Sequence, residues 1–145
     1  MRTRTLLLLA IGCGLAILVA GLFLLLRIDR ADTTVSRLAI GDTTQAGDLR
    51  VTVVAADEAD DLMRVTVRIG GVDDAEAVDD FRLVVSGALI EPLPAVQAGA
   101  AACRAVTVEE QTCELVFGTA AVQGTARGLV LRRGEDQRRW DLAGG

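Results

Sequence analysis

Cys103 and Cys113, ten residues apart, are the first residues in this chain whose type and spacing bear on chemistry. In a domain carried out of the cytoplasm an even pair is expected to close a disulfide, the competing readings being two free buried thiols or redox or metal work. Their spacing differs from a Cys-x-x-Cys redox motif, and two cysteines without a histidine do not supply the four ligands of a structural zinc. Two acidic runs, 57–61 and 73–80, could also gather carboxylates. In the first, Asp57, Asp60 and Asp61 form a candidate acidic contact loop for a cationic partner. Neither run has the Gly and terminal Glu spacing of an EF-hand loop, and neither has the apolar surroundings that would shift a carboxyl pKa. Charged loops of this kind keep a β-domain soluble and discourage edge-to-edge pairing.

What is missing narrows the chemistry further. The chain has no His, Tyr, Lys or Asn, and its 15 positive charges are all Arg. Without His there is no proton shuttle near neutral pH and no Ser/His or Cys/His couple; without Lys there is no Schiff base and no P-loop lysine. Ser36 and Ser86 are the only serines, and Ser86 falls in a predicted turn. From Thr33 onward 18 Asp and Glu stand against 11 Arg, a net charge of −7. That disfavours nucleic acid, whose phosphates call for a basic surface. The expected protein is not an enzyme and has no catalytic residue, cofactor or metal site.

These residues must be positioned by short strands. Leu49, Val51, Val53 and Ala55 alternate with other residues, as do Met63, Val65, Val67 and Ile69, which is the period of half-buried strands. The run 57–61 joins them as a polar hairpin loop, and Gly70-Gly71-Val72-Asp73-Asp74 closes the second. Phe81, Leu83 and Val85 continue the pattern, followed by a Ser86-Gly87 turn and a short piece, Ala88-Leu89-Ile90. Segments 103–108 and 113–117 read as two more strands, and 128–132 with 138–142 as a final hairpin across 133–137. Trp140 reads as a core plug with Leu142 on the same face. Seven or so strands without a helical period predict an all-β domain, an antiparallel immunoglobulin-like β-sandwich.

Ahead of it, residues 6–26 form a run of 21, of which 18 are hydrophobic, three are Gly and none is charged. As a helix it would be ~31 Å long, against a hydrocarbon core of ~30 Å. A cleaved signal would show a shorter apolar region and a small-x-small site, whereas this run is followed by Arg27-Ile28-Asp29-Arg30. The segment Ala10-Ile11-Gly12-Cys13 resembles a lipobox, but cleavage there would strand a second apolar stretch. The expectation is a signal anchor: a cytoplasmic stub at 1–5, a transmembrane helix at 6–26, a juxtamembrane linker at 27–36 and an extracytoplasmic sandwich at 37–143. Arg2 and Arg4 before the run and Arg27 and Arg30 after it give only a slight positive-inside bias, so the orientation leans on the cysteine pair. Gly12, Ala16 and Ala20 recur every four residues, a candidate helix-packing stripe.

Leu38-Ala39-Ile40-Gly41-Asp42-Thr43, Gly47-Asp48-Leu49-Arg50-Val51-Thr52-Val53, Val65-Thr66-Val67, Phe81-Arg82-Leu83, Cys113-Glu114-Leu115-Val116-Phe117 and Trp140-Asp141-Leu142 together cover most of the chain from Val35 to Leu142. This pattern resembles the telokin-like, immunoglobulin-like domain of unknown function found in bacterial secreted antigens, lipoproteins and membrane-anchored proteins. The resemblance implies an extracytoplasmic sandwich in the bacterial cell envelope, and carries over no catalytic residue. Gly70-Gly71 departs from the family, in which an Asn-containing turn is common at that point.

Two functions follow from the residues and the resemblance together. One is a membrane-anchored, non-catalytic module binding another envelope protein or a small ligand. The other is a structural accessory subunit of a membrane complex, held through Gly12, Ala16 and Ala20.

Overall fold

The computed structural model describes residues 2–31 and 37–142. The chain divides into two units, each described by itself. In the first, helix α1 runs Arg2–Ala31. Its stretch Thr3–Leu26, 24 residues with a mean hydropathy of 2.7 and 0% buried, is long and apolar enough to cross a membrane by length and composition. The helix passes through the first half of the predicted linker because no Gly or Pro stands between Gly21 and Gly41 to stop it. The remainder of that linker, 32–36, lies outside the described residues.

The second unit is built from nine strands among the described residues: β1 (Arg37–Leu38), β2 (Thr43–Ala46), β3 (Leu49–Ala59), β4 (Leu62–Gly70), β5 (Phe81–Val85), β6 (Ala88–Ile90), β7 (Gln111–Gly118), β8 (Gly128–Arg133) and β9 (Asp136–Asp141). One sheet has the order β1-β9-β8-β5-β6 and the other β2-β3-β4-β7. All pairings are antiparallel except β1 with β9. The expected sandwich architecture is therefore present.

Side-chain alternation decides what the sheets enclose. Phe81, Leu83 and Val85 of β5, Leu129 and Leu131 of β8, and Trp140 of β9 face Leu49, Val51, Val53, Val65, Val67, Leu115 and Phe117 of the other sheet in one buried cluster. Trp140 and Leu142 both belong to it, as the sequence predicts. A satellite cluster forms outside the second sheet, where Ala98 and Ala102 pack on Val116.

Three local expectations change, and one strand, β2, stands where none was expected. Asp57, Glu58 and Ala59 belong to β3, so only Asp60 and Asp61 turn the hairpin, with φ of 53° and 60°. Two successive left-handed residues match the twist of paired strands, and Asp tolerates that region better than most residues. Segment 103–108 is not a strand. It carries one isolated bridge, Val106 with Asp74, and follows another, Ala102 with Glu114, because it passes from the edge of β7 across to the 71–74 turn. Strand β2, polar throughout its exposed positions, gave no apolar alternation to read. The last hairpin turns at Gly134-Glu135, which places Arg133 within β8.

Gly70 and Gly71 have a packing reason. A Cβ on Gly70 would stand 2.8 Å from Glu110 Cα, and one on Gly71, whose φ is 114°, would stand 2.5 Å from the carbonyl oxygen of Asp48. No other residue fits where three chain segments converge this closely.

Candidate functional site

The cysteine pair is bonded, with Cα atoms 4.9 Å apart. Cys113 lies on β7 opposite Val67, and Cys103 is held at the β7 edge by its N–H donating to the Glu114 carbonyl at 2.9 Å. The closed loop carries Val106 and Thr107, whose carbonyls accept from the N–H groups of Asp74 (2.9 Å) and Gly71 (3.1 Å). The disulfide thereby fixes the connection after β4. Cys13, on α1, is an exposed free thiol.

The acidic runs fall into two fates. Asp57, Asp60 and Asp61 are exposed at the β3–β4 tip, Asp57 opposite Arg64. The second run is drawn into the fold. Arg133 donates from Nε to Asp48 Oδ1 and from Nη1 to Asp80 Oδ2, both at 2.8 Å, and Nη1 is also 2.8 Å from Asp74 Oδ2. The Arg133 hydrogen bond holds the Asp48 carboxyl below its ordinary pKa. Asp74 is lowered first by the backbone N–H of Glu76 and then by Arg133. These carboxylates raise the Arg133 pKa still further, so its charge is permanent. A second clamp joins Arg127 to Glu58 through two parallel bonds of 3.0 and 2.8 Å, which lowers the Glu58 pKa. Bidentate pairing of this kind is the strong form of an arginine–carboxylate contact.

Gly12, Ala16 and Ala20 are exposed along α1, and a Cβ on Gly12 would meet nothing within 4 Å. Ser86, at φ 45°, sits in the β5–β6 turn against Gly124.

Sequence reading missed a further constellation, on the outer face of the five-stranded sheet. There Arg82 of β5, Val130 of β8 and Arg139 of β9 stand side by side in register, with Arg132 and Gln137 paired in the next outward row. Together with Val84, Leu89, Asp79 and Asp80 they line a depression of about 410 Å³. Val130 lies outside the core cluster yet is only 8% exposed, flanked in register by Arg82 and Arg139. Arg82 is anchored by the carbonyls of Asp79 and Phe81 and donates to Glu91 at 3.1 Å. Gly128 leaves room for the Arg139 guanidinium, since a Cβ there would stand 3.3 Å from both its Nε and Nη2. Arg139 Nε is buried without a hydrogen bond, its nearest carboxylate being Asp141 at 3.8 Å. The Arg132 side chain has no ion pair or hydrogen bond among the described residues. The available signal was parity: all three arginines occupy outward positions of strands read correctly. Their convergence depends on inter-strand register, which single-strand periodicity does not contain.

No protein-family model matches the chain, and no curated protein matches it. Among solved structures the fold is similar to that of MPT63, a secreted protein from Mycobacterium tuberculosis, with a TM-score of 0.53. The match covers 72% of this chain and 97% of that one at 14% identity, a likeness of fold. It supports the immunoglobulin-like sandwich.

Proposed function

We propose that this is a single-pass, membrane-anchored protein whose sandwich lies outside the cytoplasm and works by binding rather than catalysis. The partner is another envelope protein or a small ligand. The observation that carries the reading is the bonded Cys103–Cys113 pair in a domain preceded by an apolar stretch of 24 residues. Disulfides persist in oxidising compartments, and a helix of this length and apolarity suits a bilayer span. The sandwich shared with a secreted mycobacterial protein supports the same location. Retention of α1 as an anchor is supported by its length and the charged residues at its end, and an amino terminus in the cytoplasm by the disulfide in the domain that follows.

The non-catalytic part of the reading rests on the residues present. The carboxylates with shifted pKa, Asp48, Glu58 and Asp74, are all lowered and held ionised by arginine or backbone donors. A general acid at neutral pH would need the opposite shift. Protease added to intact cells or spheroplasts should remove the sandwich and leave α1 in the membrane; a sandwich protected until the membrane is broken defeats the reading. Gentle solubilisation followed by size measurement tests the mode of action. A lone protein supports the binding module, and a stable heteromeric complex favours a structural subunit.

A further inference from the structure

The arginines of the sandwich are used in two ways. Arg133 engages three carboxylates and Arg127 closes a bidentate pair, so both are paired within the fold. Arg132 and Arg139 stand on the same surface with guanidinium donors that the fold does not engage by hydrogen bonds. They are nonetheless placed, Arg132 by its register opposite Gln137 and Arg139 by the room left at Gly128. Three arginines line one depression, with Asp79 and Asp80 at its rim, on a domain of net negative charge.

The floor between them is apolar. Val130 lies between Arg82 and Arg139, whose strands are two inter-strand spacings apart, about 10 Å. Val84 and Leu89 extend the apolar surface toward β6, where Leu89 is 67% exposed. A depression of about 410 Å³ in which three apolar residues, Val84, Leu89 and Val130, stand among arginines is within the size range of a small-molecule site. Guanidinium forks match carboxylate and phosphate oxygens in a plane. Asp80, beside Arg132 at one end of the depression, is already bound to Arg133, so its charge is paired within the fold. Glu91, whose side chain is 77% exposed, holds Arg82 by a surface pair that an incoming anion can replace.

We infer that this depression binds a small organic anion, a carboxylate or phosphate carried on an apolar body, with Arg132 and Arg139 holding the charge and Val130, Val84 and Leu89 the body. The same chemistry is offered by a soluble metabolite and by the headgroup region of an anionic lipid. The inference deepens the binding-module reading and fails separately from it, because it is read in ligand titrations whereas location is read by protease.

The test uses full-length protein in phosphatidylcholine nanodiscs with its arginine side chains labelled for NMR. Phenyl phosphate and benzoate serve as soluble probes, and inorganic phosphate and benzyl alcohol as each half alone. Phenyl phosphate or benzoate should shift the side-chain signals of Arg82, Arg132 and Arg139 at concentrations at least tenfold below those needed for either half. Arg132→Gln, which removes a side chain with no partner in the fold, should weaken that binding about tenfold with an unchanged melting temperature. Arg132→Lys should restore only part of it, since the charge returns without the fork. Adding phosphatidylglycerol to the nanodiscs separates the sources: shifts of the same three arginines with that lipid, and none with soluble probes, assign the anion to the membrane. Absence of shifts with every probe and with the anionic lipid overturns the inference, as does equal binding by an Arg132→Gln/Arg139→Gln variant that melts like the parent.

Discussion

Arg133, in one sheet, and Asp48, at the entry to the other, meet at 2.8 Å, Nε to Oδ1. Asp48 immediately precedes β3 and Arg133 ends β8. At the other ends of the same two strands, Glu58 of β3 takes both nitrogens of Arg127, the second residue of the pair lying one position before β8. One strand in each sheet is therefore tied at both ends, carboxylates on β3 and arginines on β8. Hydrophobic packing between the sheets is non-directional, and these clamps supply the lateral register it lacks.

Loss of the Arg133 clamp should destabilise the sandwich without altering its fold. Its side chain is 18% exposed, between the surface and buried cases. Arg133→Gln is expected to cost roughly 1–2 kcal/mol and lower the melting temperature by several degrees. Trp140, the sole tryptophan and fully buried, gives the fluorescence readout. A variant melting within a degree of the parent would show that the clamp contributes nothing.

Acid should weaken the same contacts. Asp48, Asp74 and Glu58 have pKa values lowered in the folded state. A lowered value means that the folded chain binds fewer protons than the unfolded one. The stabilisation is therefore complete above the unfolded values, near ~4, and is lost as the pH falls through the folded values. Arg133→Gln removes the first cause at Asp48 and the second at Asp74, so its stability should fall less steeply below about pH 4. Parallel curves for parent and variant down to about pH 2 would contradict the assignment.

The strands of the core were legible because their alternation survives in the sequence: Phe81, Leu83 and Val85 could be read inward before any neighbour was known. Arg133 could not be read in the same way. Its role depends on Asp48, Asp74 and Asp80 arriving from three other segments, and a turn placed one residue early put it in a loop. Segment 103–108 was misread for a related reason, since apolar residues there serve a crossing rather than a ladder. The Arg82, Arg132 and Arg139 surface shows the limit most clearly, because each arginine alone is an ordinary outward strand residue. Only register makes them neighbours.

Gly71 should be intolerant of a side chain. Its φ of 114° lies where only glycine is unstrained, and an added Cβ would meet the carbonyl of Asp48, the residue that anchors Arg133. Gly71→Ala is expected to cost about 1–3 kcal/mol from strain, with further loss if the clamp is displaced. Hydrogen exchange should show faster opening at the start of β3 as well as at the substitution. An alanine variant of parental stability would mean that this close approach does not exist.

Removing the Cys103–Cys113 bond should cost ~2–3 kcal/mol in the chain-entropy account and lower the melting temperature by several degrees. The double alanine variant should lose amide protection first at Gly71 and Asp74, whose N–H groups donate to the closed loop. Alkylation of denatured, unreduced protein should modify Cys13 alone. Three modified cysteines would show that the bond does not form.

The β3–β4 tip offers a substitution that separates charge from conformation. Asp60 and Asp61 occupy left-handed positions, so lysines placed there would combine charge reversal with strain and blur any binding result. Asn-Gly is the preferred pair for two successive positive φ angles, and Asp60→Asn/Asp61→Gly should raise stability by about 0.5–1 kcal/mol while removing both charges. The backbone contact from the Thr119 N–H to the Asp61 carbonyl, 2.7 Å, requires neither carboxylate and should persist. Adding Asp57→Asn then removes the third charge of the candidate contact loop. A cationic partner that docks on the tip should associate more slowly with this triple variant and with weaker salt dependence, although the protein itself melts higher. Unchanged association would remove the tip from consideration as a docking site, and a lower melting temperature for the Asn-Gly pair would refute the turn geometry.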